Sequence, residues 1–421
     1  MFRFFEQLVD PFPERPPSAA PASVFQFCRH YSCGLEHWLL LLALLSMLIA
    51  VVEVSHFDVL GKAVDLLART TPETIGDDGG RQLAALGIGL LIAYPTTVAL
   101  QALLLHQTLM GNFPMIVRWM AHRYLLGQSV SFFMDEFAGR VATRVMQTAL
   151  ATREVVLTLL DILVYVGVYF LSVLVLLGSI DWRLALPLVL WLVQYAVLLY
   201  RILTSQQYTS ERQADARALM TGRVSDSYTN INTVKLFSHA RRESRYARES
   251  MRSFLNTVHP QMRLVTQMET AVAANNVLML FLVGATAFYL WSHDATTPGA
   301  VAAALALCLR MNGLSEWIMW EVSSLFESIG TVQDGVSTLG KPIGVRDRED
   351  AVPLTVSAGE LKFSSVRFSY HTERPVFEAL DLHIRAGEKV GLIGRSGAGK
   401  ATLVNLLLRF HDVDSGEILI D

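Results

Sequence analysis

Six long apolar runs leave this chain few ways to fold: they lie at about residues 35–54, 83–105, 155–180, 184–203, 271–291 and 299–326. Each is close to the ~20 residues that a helix needs to cross a bilayer core about 30 Å thick. In lipid, only a helix or a closed barrel satisfies every backbone N–H and C=O, and continuous apolar runs of this length point to helices. With 52% of its 421 residues hydrophobic and 17% charged, the chain is too apolar for a soluble protein of its length. Pro11, Pro13, Pro16, Pro17 and Pro21 precede the first run, and no short apolar stretch with a small-residue cleavage site is present. The first run is therefore expected to stay in the membrane rather than leave as a signal peptide.

Loop charges predict the orientation. Arg118, Arg123, Arg140, Arg144 and Arg153 follow the second run, and Arg212, Arg217, Arg223, Lys235, Arg241, Arg242, Arg245, Arg248 and Arg252 follow the fourth, which places both loops in the cytoplasm. The loop with Glu73, Asp77 and Asp78, and the short connections at 178–181 and 292–298, are predicted to face outward. Both basic loops are rich in helix formers, so the membrane helices are expected to continue well into the cytoplasm. A net charge of −3, with no basic footprint concentrated outside these cytoplasmic-type loops, argues against a nucleic-acid partner. Cys28, Cys33 and Cys308 form no C-x-x-C pair; Cys28, His30, Cys33 and His37 cluster at a spacing unlike a usual zinc site and read as side chains of a helix at the membrane surface.

Near the C-terminal end stands Gly394, Arg395, Ser396, Gly397, Ala398, Gly399, Lys400, Ala401, Thr402. In a loop of the form G-x-x-x-x-G-K-[ST], backbone N–H groups converge on phosphate, the lysine reaches the β/γ oxygens and the final hydroxyl holds Mg²⁺. Gly394, Gly399 and Lys400 fit, whereas Ala401 stands where the hydroxyl belongs. The flanks fit too: Val390–Gly394 reads as a buried strand entering the loop, and Leu403–Phe410 as a helix leaving it.

These residues identify a resemblance to ATP-binding-cassette (ABC) exporters of the half-transporter type. Arg118–Ser129 and Phe132–Arg140 resemble the family's first coupling segment, and Gly222–Glu243 its second. Phe363–Tyr370 is similar to the strand ending in the aromatic residue that stacks on adenine, and Asp414–Asp421 to the strand after the phosphate-loop helix. The resemblance implies a six-helix exporter transmembrane domain followed by the N-terminal part of an α/β P-loop nucleotide-binding domain. It implies ATP and Mg²⁺ as ligands and a homodimer or a heterodimer with a second half-transporter. It places the protein in a lipid bilayer, as a multi-pass protein of the bacterial inner membrane with its nucleotide-binding part cytoplasmic. The expected organisation is a Pro-rich leader with an interfacial helix at 1–34, the transmembrane domain at 35–335, a linker at 336–358 and a partial nucleotide-binding domain at 359–421. The signature motif, the Walker B carboxylate and the switch histidine of the family are not found within these 421 residues. No catalytic residue and no complete metal site are therefore expected here, and hydrolysis by residues 1–421 alone is not expected.

Polar residues inside apolar runs are costly in lipid unless they face protein or water. Asp161, Tyr165, Tyr169 and Ser172 share one face of the third run, and Arg310, Glu316, Trp317, Trp320 and Glu321 interrupt the sixth. Asp161, Tyr165, Tyr169, Arg310, Glu316, Trp317 and Glu321 are the candidate translocation path for an unknown substrate, with buried helix-locking pairs as the alternative. Glu53, Glu269, Asn275 and Asn276 add polar groups, and the mixed signs assign no substrate charge. At the level of function, an ATP-driven exporter subunit stands beside a non-hydrolysing membrane interaction or regulatory protein, half of a split transporter, and a membrane-tethered P-loop kinase or GTPase.

Overall fold

A computed structural model of the protein describes residues 2–16, 18–70, 78–136, 138–237, 240–348, 350–371 and 374–421. Two short helices lead, α1 (Phe2–Glu6) and α2 (Val24–Ser32). They are followed by α3 (Glu36–Arg69) and α4 (Asp78–Ala102), which passes into a π-helical stretch at Leu103–Leu109. Next come α5 (Asn112–Leu126), α6 (Val130–Asp135) and α7 (Ala138–Leu157), then a second π-helical turn (Thr158–Ile162) that continues as α8 (Leu163–Ile180). The helical part closes with α9 (Trp182–Thr229), the short α10 (Ile231–Leu236), α11 (Ala240–Ser292) and α12 (Pro298–Leu339). Among the described residues, six helical stretches are long and apolar enough to cross a membrane, and each apolar run of the sequence falls on one of them. The predicted outward loop residues Glu73 and Asp77 lie outside the described residues.

The chain divides into two compact units, each assembled from separate stretches of sequence. One unit, residues 36–107 and 156–327, has a continuous apolar core that includes Tyr169, Leu184, Trp191, Val283 and Leu307. Within it a buried polar network joins three helices. Trp191 Nε1 donates to Asn276 Oδ1 at 2.9 Å, and Asn276 Nδ2 donates to Asn312 Oδ1 and to Ser315 Oγ at 2.7 and 2.8 Å. Unpaired amides are costly in an apolar interior, so these pairings fix how α9, α11 and α12 align. The start of α12 is capped by another helix: Asp65 accepts from Gly299 N and from Thr297 Oγ1, both at 2.7 Å. A carboxylate there satisfies an orphan N–H and suits the positive end of the helix dipole. The approach is close enough that a Cβ on Gly299 would collide with the Gly61 carbonyl. In the same unit, α9 and α11 extend far past their apolar runs, as their helix-forming composition predicts, and are joined by α10. There Arg223 lies over the Tyr246 ring at 4.2 Å, and Ser227 Oγ donates to Glu243 at 2.9 Å.

The other unit comprises residues 1–35, 108–155 and 328–421. Its proline-rich leader is pinned along α5: Trp119 Nε1 donates to Pro13 O at 3.2 Å, and Arg123 Nη1 to Arg15 O at 2.8 Å. A segment this rich in proline lacks the N–H groups to pair its backbone regularly, so its carbonyls are left to accept from side chains of an adjacent helix. A small sheet follows, with β1 (Leu361–His371) antiparallel between β2 (Arg374–Ile384) and β3 (Ser415–Ile420). Phe363, Val366 and Phe368 of β1 form its core with Leu406 of α13 (Lys400–Leu407).

One expectation is corrected. Val390–Gly394 is not a buried strand; it forms no strand at all, and Ile393 is 99% exposed. A continuous apolar run suits a parallel strand covered on both faces. Here none of the three strands of the sheet pairs with it, so its pattern finds neither ladder nor cover.

Candidate nucleotide loop and membrane cleft

The phosphate-loop residues form one tight turn running into α13. Gly397 and Gly399 have φ of +82° and +88°, the left-handed region that a side chain resists. At Gly399 a Cβ would also press at 3.1 Å on Val376 and on the Phe377 ring. Ala398 N donates to Arg395 O at 3.2 Å, closing the turn over Ser396 and Gly397. Lys400 Nζ curls back onto the loop, donating to the carbonyls of Gly394 and Arg395 at 2.7 and 2.8 Å. An ammonium held at the mouth of a glycine turn, at a helix N-terminus, is a ready anion site. The residues present fit a phosphate.

They do not fit a magnesium ion. Ala401 has no oxygen to offer and is exposed at the head of α13. The adjacent Thr402 hydroxyl is no substitute: the residue is buried and Tyr370 Oη bonds its Oγ1 at 3.3 Å. Tyr370, at the end of β1, also meets the His411 ring edge-on, with centroids 5.2 Å apart. Its ring remains 43% exposed. At the opposite end of β1, Asp421 accepts from the backbone N–H groups of Ala358 and Glu360 at 2.9 and 2.7 Å, and also from that of Ser357. These amides hold its carboxyl well below the usual carboxylate range and tie the end of β3 to the segment before β1.

In the helical unit, α3, α4, α8, α12 and both π-helical stretches line a cleft of about 580 Å³. Asp161, Tyr165, Arg310 and Trp317 of the sequence-derived path lie on it, together with Glu53. Glu53 is paired on both oxygens: Arg310 Nε donates to Oε1 and Tyr165 Oη to Oε2, each at 2.6 Å. Asp161 sits in the turn Thr158–Ile162 and accepts on Oδ1 from Gln101 Nε2 at 2.8 Å and from Ser46 Oγ. Tyr169 is fully buried behind Tyr165, and Glu316 and Glu321 are not among the lining residues. Ser46, Tyr94 and Gln101 also line the cleft and were not singled out in the sequence. Their only signal is a polar side chain within an apolar run.

The residues Cys28, His30, Cys33 and His37 differ in their surroundings. Cys28 is buried and Cys33 exposed. Burial pushes the Cys28 thiol up to about 11, which disfavours the thiolate a metal would need, and burial beside Arg15 lowers His30. Among the described residues, no group of three or more His, Cys, Asp or Glu side chains could hold a metal ion.

Residues 39–311 match the ABC transporter transmembrane region, and residues 377–421 match the family described as ABC transporter. The chain is 46% identical over 421 residues to an uncharacterized ABC transporter ATP-binding protein of Haemophilus influenzae, covering all of this chain and 68% of that one. It is 30% identical over 245 residues to a β-(1→2)glucan export ATP-binding/permease protein, NdvA, of Rhodopseudomonas palustris, covering 58% of this chain and 40% of the relative. The structure of a bacterial Atm1-family ABC exporter with ATP bound superposes with a TM-score of 0.74 at 19% identity, over 92% of this chain and 69% of that one. With six membrane-length helices, an exporter fold and a phosphate loop in one polypeptide, the chain is a multi-pass integral membrane protein and belongs to the ABC transporter family.

Proposed function

We propose that this chain is the membrane subunit of an ATP-driven exporter and that the cleft lined by Glu53, Asp161, Tyr165, Arg310 and Trp317 is its cargo path. One observation carries the reading. Charged and hydrogen-bonding side chains converge on an open cleft of about 580 Å³ within helices otherwise suited to lipid, an arrangement that is costly unless water or cargo enters. In this reading residues 35–335 form the transmembrane part and 359–421 the nucleotide-binding part, on the cytoplasmic side of the inner membrane. Two such chains, or this chain and a second half-transporter, act together. Gly394–Lys400 hold the phosphates of ATP and Tyr370 offers its exposed face to the adenine. One observation favours a second reading, a subunit that binds nucleotide without hydrolysing it: neither Ala401 nor Thr402 presents a hydroxyl for Mg²⁺.

Thiol labelling tests the path. In a Cys33→Ser background, a cysteine at Val98, which lines the cleft, should react with a membrane-impermeant reagent faster than a cysteine at Phe281, which is 69% exposed on an apolar helix surface. Nucleotide should change the first rate and not the second. Equal protection of both positions would remove the cargo path.

A further inference from the structure

The charges of the cleft do not cancel, and their pairing shows which one is left. Two carboxylates, Glu53 and Asp161, face one guanidinium, Arg310. Glu53 is satisfied on both oxygens by Arg310 and Tyr165, so that cation and that anion neutralise each other within the wall. Asp161 is different. Both of its donors, the Ser46 hydroxyl and the Gln101 amide, are neutral, and both bond Oδ1. Among the described residues, Oδ2 accepts no hydrogen bond and no cation pairs with Asp161. Neutral donors orient a carboxylate without cancelling its charge, and at low dielectric an uncancelled charge attracts a counter-ion strongly. Around it the lining is apolar and aromatic, with Ile49, Val98, Leu105, Tyr94 and Trp317.

From this pairing we infer that the cleft selects cationic amphipathic cargo, with an ammonium or guanidinium group on Asp161 Oδ2 and an apolar body against Tyr94, Trp317 and the aliphatic wall. Aromatic faces favour cations as well, so the two parts of the wall act in the same direction. The inference rests on the cleft being the cargo path. Gln101 and Ser46 are positioning residues in it: they hold Oδ1 and leave Oδ2 without a partner among the described residues.

The test uses the full chain in nanodiscs of zwitterionic lipid and two fluorescent probes of equal length. Dansylcadaverine ends in a primary ammonium, and dansyl-6-aminohexanoate ends in a carboxylate. Binding is read by dansyl anisotropy after subtraction of empty nanodiscs. The cationic probe is expected to bind saturably and about tenfold more tightly than the anionic one, the scale of one charge-assisted contact. Asp161→Asn keeps the Oδ1 acceptor and should abolish that preference, while Asp161→Glu should retain most of it. Equal or reversed preference in the unaltered chain, no saturable binding of either probe, or an Asn variant that keeps the preference would each overturn the inference. The unaltered chain supplies the comparison even if a variant does not fold. A cleft labelled at Val98→Cys that prefers the anion defeats this inference alone, whereas a cleft closed to the thiol reagent defeats the export path beneath it.

Discussion

Lys400→Ala should weaken ATP binding by roughly 30- to 150-fold, the equivalent of losing a charged hydrogen bond worth about 2–3 kcal/mol. The ammonium now rests on the Gly394 and Arg395 carbonyls, so it is already held at the mouth of the loop before any phosphate arrives. The left-handed glycines and the Ala398–Arg395 bond are expected to hold the turn when these two lysine bonds are lost. Ala401→Ser tests the other half of the same site. In the unaltered chain, ATP affinity should depend only weakly on Mg²⁺, because Ala401 has no oxygen and Thr402 is taken by Tyr370. A serine hydroxyl on the exposed side of the first turn of α13 should raise the affinity in Mg²⁺ over that in EDTA severalfold, since Mg²⁺ keeps most of its waters and gains one ligand. Equilibrium binding of a fluorescent ATP analogue to the full chain decides both. An affinity indifferent to Lys400 would place the nucleotide elsewhere.

Glu53→Leu is expected to cost about 2–3 kcal/mol of stability, below the 3–5 kcal/mol typical of breaking a fully buried pair because Arg310 is 41% exposed to the cleft. Two groups lose their partner at once, the Arg310 guanidinium and the Tyr165 hydroxyl. The double variant Glu53→Leu, Arg310→Leu removes the stranded charge and should recover most of the loss, leaving the unpaired hydroxyl of Tyr165. Unfolding followed in detergent gives both values, and a double variant no more stable than the single one would show that the pair does not hold α3 to α12.

The helix count was legible because a span of lipid demands a run of apolar residues, and that run is local in sequence. Side-chain pairing is not local. Glu53 and Arg310 stand 257 positions apart, and nothing in either run says that they meet. For that reason the sequence alone left the sign of the cleft open, although Asp161, Tyr165, Arg310 and Trp317 were recognisable as polar or aromatic interruptions. Ser46, Tyr94 and Gln101 escaped notice because neutral polar side chains occur in membrane helices for many packing reasons. Helical spacing put Tyr169 beside Asp161 and Tyr165, yet the Tyr169 ring packs into the core instead of the cleft. The loop glycines and Lys400 were visible as a motif. The bond between Tyr370 and Thr402 was not, since it joins a strand end to a helix start 32 residues on. Val390–Gly394 failed in the opposite direction: its composition promised burial, and a run of residues cannot by itself supply the neighbouring strands that burial requires.

The wider turn at Thr158–Ile162 also bears on how such a chain can change length. Along an ordinary α-helix, losing one residue swings everything beyond it by about 100°, so Tyr165 would be carried away from Glu53. A π-helical turn already holds one residue more than the α-helix on either side needs. Excising Leu159 or Leu160 would let the segment relax to regular winding while the flanking helices keep their facing, with the disturbance confined to the residues next to Asp161. This turn is thus a place where a codon can be lost without scrambling the wall beyond it, and where such a loss would alter the surroundings of Asp161 before it altered the bundle.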